Sequence, residues 1–100
     1  MAQSDVFITN LHKVDRQEKF DISFKQLSEK NPKLIYAAIS GYGFTGYSSE
    51  LPGYDILAQA SSGLMTITGE DQSKAVRFPT PMADISAGVY AVISILSALI

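Results

Sequence analysis

The last stretch of this sequence constrains its fold most. Residues 85–100, ISAGVYAVISILSALI, carry no charge and no C-terminal cap signal. The run is shorter than the ~20 apolar residues that span a bilayer, so no membrane helix is expected. A helix apolar on every side belongs inside a protein core. Here it ends at Ile100, the last residue, so the chain reads as a fragment cut where its core continues.

Upstream, the pattern is that of an α/β protein. Residues 5–9, DVFIT, form a short apolar, β-branched strand ending at Asn10. Residues 11–21 are charged and irregular, a solvated loop or short helix on pattern alone. Residues 22–30 read as a helix, with Ser23 as N-cap and Gln26 as its capping-box partner. Asn31-Pro32 stops it, because the residue before proline is pushed out of the helical region. Residues 33–40, KLIYAAIS, are nearly continuous in apolar side chains, as in parallel strands covered on both faces. Strand, helix and strand in this space make a βαβ unit. Residues 54–62 form a short helix capped by Gly63. Residues 64–68 are expected to be extended, 69–75 to be a polar turn, and 76–83 to be extended around two prolines. Asp84 then stands as the N-cap of the terminal helix.

Eight basic residues against ten acidic ones give a net charge of −2. That leaves no electrostatic footprint for nucleic acid or an anionic membrane surface. With no cysteine and one histidine, His12, neither disulfides nor a metal site are expected. His12 reads as a surface residue. The N-terminus has no basic segment leading into an apolar run, so it is not a signal peptide, and the expected compartment is the cytoplasm.

Between the second strand and the next helix lies GYGFTG, a literal G-x-G-x-x-G made by Gly41, Gly43 and Gly46. A dinucleotide fingerprint requires a helix to begin within the motif and a carboxylate to end a following strand. Here YSSELPGYD follows, and Pro52 and Gly53 interrupt any helix start. Glu70 and Asp71 lie at a tolerable distance but in a turn-rich segment. The motif therefore reads as a loop whose glycines serve left-handed backbone or close approach. Loops at the carboxyl ends of parallel strands are where α/β proteins place ligands.

Five motifs in order resemble one family: NPKLIY, SGYGFTG, PGYD, SGLMTITG and the aspartate of PMAD ahead of an apolar helix. Together they are similar to the central part of family III CoA-transferases, the formyl-CoA and carnitine CoA-transferase family related to α-methylacyl-CoA racemase. The resemblance extends from Ser4 to the end of the chain. It implies a fragment of a Rossmann-like large domain with parallel strands and crossover helices. Residues 1–100 would be a partial large domain, lacking the family's N-terminal and C-terminal portions. It also implies a homodimer of interlocked chains, and an isolated chain that is inactive.

The implied reaction moves CoA from an acyl-CoA to a small carboxylic acid. Asp84 matches the family's nucleophilic aspartate, which carries the acyl group as an anhydride and then CoA as a thioester. On pattern alone Asp84 is a helix cap, and the two roles are compatible. Gly41 and Gly43 would let backbone amides approach the acyl group, or would serve loop geometry only. Tyr54 occupies the place where the racemase branch carries a histidine base. A phenol, with an ordinary pKa of about 10, is a poor base at neutral pH, so the residue favours acyl transfer over racemisation. Asp55 reads as a helix-start acid, and Arg77 as a surface cation or a neighbour of the site. For CoA itself, Asn10 matches the family's strand-end asparagine, Leu11 a lining residue, and Lys19 the basic residue facing a phosphate. The family's usual Asn-Phe-Arg-Pro-Gly is Asn10-Leu11-His12-Lys13-Val14 here. The competing readings are a racemase-like enzyme and a non-catalytic CoA-binding or association module.

Overall fold

The computed structural model describes residues 4–69 and 74–100. Glu70, Asp71 and most of the expected polar turn therefore lie outside the described residues. The chain runs β1 (Val6–Thr9), α1 (Val14–Lys19), α2 (Phe24–Lys30), β2 (Ile35–Ala38), α3 (Asp55–Ser61), α4 (Leu64–Thr68) and α5 (Met82–Leu99). β1 and β2 pair in parallel, with Val6 opposite Ile35 and Thr9 opposite Ala38. This is an α/β arrangement, and the βαβ unit read from the sequence is present with two short crossover helices in place of one.

Local chemistry explains the first unit. α2 begins with a complete capping box: the Gln26 amide N–H donates to Ser23 Oγ at 3.4 Å, and the Ser23 N–H donates to Gln26 Oε1 at 3.1 Å. At the other end, the Asn31 N–H closes on the Leu27 carbonyl, and the Asn31 side chain donates to the Ser4 carbonyl at 2.9 Å. One asparagine thus ends the helix and ties it to the start of β1. Leu27 is the most buried apolar side chain, at 2 % exposure. Tyr36 on β2 stacks against Phe7 of β1 and meets Phe24 of α2 edge-on, with centroids 5.4 and 5.7 Å apart. Its hydroxyl donates to the Ile22 carbonyl at 2.9 Å. Burial raises the Tyr36 pKa above its ordinary value.

Three expectations need correction. Residues 64–68 are helical, not extended. Their β-branched content suggested a strand, but Thr66 and Thr68 turn their hydroxyls back onto the Gly63 and Leu64 carbonyls, both at 2.7 Å. Gly63, at φ +79°, sets the break from α3. Second, Asp84 is not the N-cap of α5. The helix starts at Met82 with Pro81 at the cap, and Asp84 lies in the first turn. Third, β2 is half-buried along its length, and Ile8 of β1 is 56 % exposed. Two strands with α5 packed against β2 leave much of the sheet surface open.

α5 is long and apolar enough, by length and composition alone, to cross a membrane. Along it only Ile95 is buried, while Ile85, Val89, Val92, Ile93, Leu96 and Leu99 are exposed.

Candidate functional site

The carboxyl ends of β1 and β2 open into a cleft of about 860 Å³. β1 delivers Asn10 to it, and β2 delivers Ser40 and then Gly41. The far wall comes from α3 and α5. On α3, Tyr54 at the N-cap, Ala58, Ser61 and Ser62 share a face by helical spacing. On α5, Asp84, Ala87 and Gly88 do the same, and the two small residues leave the space beside the carboxylate open.

The glycine loop gets its shape from a close backbone approach. A Cβ on Gly41 would collide with the Gly53 Cα, and one on Gly53 would collide with the Gly41 Cα. Those two glycines let the start and end of the loop touch, which brings Pro52 and Gly53 to the rim of the cleft. Gly43, at φ +81°, adopts left-handed backbone, and its N–H donates to Ser40 Oγ at 2.9 Å. No helix begins inside the motif; α3 starts only at Asp55. The loop therefore lacks the helix terminus that a dinucleotide turn requires.

Of the residues singled out from the sequence, Asn10, Gly41, Tyr54 and Asp84 meet at this cleft. Gly43, Leu11 and Lys19 are not part of its lining. The Leu11 carbonyl instead accepts a hydrogen bond from the buried Gln17 side chain, and Lys19 is exposed in the last turn of α1. Tyr54 is 65 % exposed and Asp84 is exposed, so both are open to a ligand entering from solvent. His12, read from the sequence as a surface residue, is half-buried and lines the cleft. Its position two residues beyond a strand-end asparagine was the available signal. Lys13 pairs with Glu50 at 3.3 Å and ties the loop after β1 to the glycine loop; the carboxylate is exposed, so the pair adds little stability.

Behind the cleft lies a buried polar cluster. Asp55 is 6 % exposed and Gln59 1 %. The Gln59 side-chain amide donates to Asp55 Oδ2 at 2.7 Å and to the Phe78 carbonyl at 3.3 Å, and it accepts from the Phe78 N–H at 2.9 Å. Asp55 Oδ1 accepts the Ala83 N–H at 2.8 Å. Arg77 reaches to 3.8 Å from Asp55 Oδ2, so it neighbours this cluster. α5 thus takes its cap from α3. Pro81 makes no side-chain cap of its own.

Comparison with known proteins fits this geometry. The family model of CoA-transferase family III matches residues 1–100. The chain belongs to CoA-transferase family III. It is 41% identical over 97 residues to a succinate–glutarate CoA-transferase of Agrobacterium fabrum, covering 97% of this chain and 24% of that protein. It is 38% identical over 99 residues to a succinyl-CoA:glutarate CoA-transferase of Homo sapiens, covering 99% of this chain and 22% of that protein. Among solved structures, a CAIB/BAIF family protein from Brucella suis superposes with a TM-score of 0.91 at 40% identity, over 98% of this chain and 26% of that one. The chain spans about a quarter of the length of the curated relatives it matches.

Proposed function

We propose that this family III segment supplies the reacting carboxylate of an acyl-CoA:carboxylate CoA-transferase, with Asp84 as nucleophile. One observation carries the reading. An exposed aspartate in the first turn of a long helix shares a cleft with the strand-end asparagine, the glycine loop and Tyr54. That cleft lies at the carboxyl edge of parallel strands, the usual ligand position in α/β proteins.

A carboxylate oxygen of Asp84 attacks the thioester carbonyl; the C–O bond forms, the C–S bond breaks, and CoA leaves as thiolate. The product is a mixed anhydride on Asp84. The thiolate then attacks the aspartyl carbonyl of that anhydride, giving an aspartyl-CoA thioester and releasing the donor acid as carboxylate. An acceptor carboxylate attacks the aspartyl thioester and expels CoA thiolate. The thiolate attacks the acceptor's own carbonyl in the new anhydride and frees Asp84. No net proton moves, so the site needs no strong general base, which agrees with a tyrosine at position 54. Each intermediate survives only while water is kept away.

Within this scheme the Gly41 amide is the loop group proposed to meet developing negative charge on the thioester oxygen. The Gly43 amide is engaged by Ser40 and does not take that role. Asn10 contacts the substrate near the thioester, and Tyr54 lines the acyl pocket. The names of the two curated relatives pair succinate or succinyl-CoA with glutarate, and small dicarboxylic acids are the proposed class of donor and acceptor here. The parallel strands belong, on this reading, to a Rossmann-like large domain. The exposed apolar side chains of α5 are where the rest of a larger fold packs.

Trapping tests the reading. In the intact polypeptide, incubation with succinyl-CoA and hydroxylamine is expected to convert Asp84 to its hydroxamate, read by peptide mass spectrometry. Asp84→Asn is expected to lower CoA transfer by on the order of 10³-fold or more, as losing a covalent nucleophile does. Unmodified Asp84 despite bound CoA, or full transfer by Asp84→Asn, would sink it.

A further inference from the structure

From the cluster behind the cleft we infer that Asp55 is a positioning residue for the reaction, acting with Gln59 to set where Asp84 stands. The inference rests on the reading of Asp84 as nucleophile. α5 has no cap from its own lead-in, because Pro81 occupies the cap position. Its second residue, Ala83, instead donates its N–H to Asp55 Oδ1 at 2.8 Å, and Asp84 is the next residue. The location of the reacting carboxylate relative to α3 therefore depends on one side chain from α3.

Gln59 holds the approach to that point. Its amide takes both the N–H and the C=O of Phe78, as a neighbouring strand would, and reaches the Thr80 carbonyl at 3.5 Å. The same Nε2 donates to Asp55 Oδ2 at 2.7 Å. Asp55 and Gln59 are one helical turn apart, so two side chains of α3 grip the chain from Phe78 to Ala83. Tyr54 and Ala58, their immediate neighbours on α3, line the cleft on the adjoining face. The two helices that form the far wall of the site are thus fixed to each other through this pair. A buried carboxylate is costly unless it is fully bonded, and here both oxygens are engaged, one of them beside the site.

The polarity of the cluster allows a clean disruption. Asp55 must accept on both oxygens. Asparagine at that position offers one acceptor and one donor. If its oxygen keeps the Ala83 N–H, its NH₂ faces the NH₂ of Gln59. Gln59 cannot turn over to answer it without losing the Phe78 N–H. Asp55→Asn keeps the volume and breaks the arrangement.

The test follows acylation of Asp84 by succinyl-CoA in a single turnover of the intact polypeptide, trapped with hydroxylamine. Asp55→Asn is expected to slow it at least about tenfold, because a misplacement of about 1 Å costs on the order of 10²-fold. Succinyl-CoA affinity should stay within about threefold of the unmodified protein, since Asp55 does not line the cleft. Leu27→Ala is the control for general destabilisation. It lies in the other half of the chain and should leave the acylation rate unchanged below its melting transition. Acylation at the original rate in Asp55→Asn overturns the positioning role, and so does a parallel loss in Leu27→Ala. If Asp55→Asn does not fold, Gln59→Met carries the same expectation, and an unchanged rate in it overturns the inference. Transfer that persists in Asp84→Asn removes the nucleophile reading itself, and the positioning role with it. An inactive Asp84→Asn beside a normal Asp55→Asn removes the positioning role alone.

Discussion

The two halves of this chain are held together in opposite ways. From Val6 to Ala38, β1, α1, α2 and β2 close around Leu27 and an aromatic cluster, and α2 is capped by its own Ser23 and Gln26. From Asp55 onward, the most buried side chains are polar. Asp55 and Gln59 are inside, while most of the apolar residues of α5 face outward. The first half is organised by parallel strand pairing, a local helix cap and apolar contacts around Tyr36 and Leu27. The second is organised by hydrogen bonds that span 19 to 28 residues. The half that holds the proposed nucleophile depends on directional bonds, which fix atoms to a fraction of an ångström where apolar contacts allow adjustment.

The comparison breaks if the two halves respond alike to substitution. The largest expected contrast is between chemistry and stability. Asp84→Asn should abolish transfer with the unfolding midpoint nearly unmoved, and Asp55→Asn should slow acylation with substrate affinity retained. On stability, Leu27→Ala is the severest change in the first half. Deleting a buried leucine side chain costs about 2–5 kcal/mol. Urea unfolding of the intact polypeptide should show that loss, and a cost below about 1 kcal/mol would mean that Leu27 is not the centre of this packing.

Ser23→Ala sharpens the comparison at a smaller scale. It removes half of the capping box and should cost about 1 kcal/mol, typical of an N-cap. Hydrogen exchange should localise the effect to the amides at the start of α2. Spread of the effect to α5 would contradict the separation of the halves.

The smallest effect is a pH dependence. Burial raises the Tyr36 pKa in the folded state above its ordinary value of 10.0. Its contribution to stability is therefore fully present below the unfolded-state pKa and is lost as pH rises through the folded one. Stability should decline on the alkaline side, and Tyr36→Phe should flatten that decline. The variant also frees the Ile22 carbonyl of its partner, so its stability at neutral pH should drop slightly.

Much of the first half was legible in the residues. Ser23 and Gln26 announced their capping box, Asn31-Pro32 the end of α2, and the apolar runs the two parallel strands. Each signal lies within a few residues of its effect. Of the residues to which motif and resemblance pointed, Asp84, Tyr54, Gly41 and Asn10 line one cleft. Other features were not legible. Residues 64–68 read as extended because threonine and isoleucine favour strands, yet the Thr66 and Thr68 hydroxyls bond carbonyls three and four residues back in a helix. His12 looked like a surface residue because its segment is charged and irregular, although it stands two residues beyond the strand-end Asn10 that also lines the cleft.

Residue spacing alone was enough to mark the strands and the capped helix around Leu27 and the motifs of the family. Those properties come from spacing and side-chain type, which a linear string contains in full. Three-dimensional packing was needed to start α5 at Met82, to cap it with Asp55 rather than Asp84, and to rest Gly41 on Gly53. A cap from another helix and a contact between two backbones have no local signature. They exist only once distant parts of the chain have been brought to bonding distance.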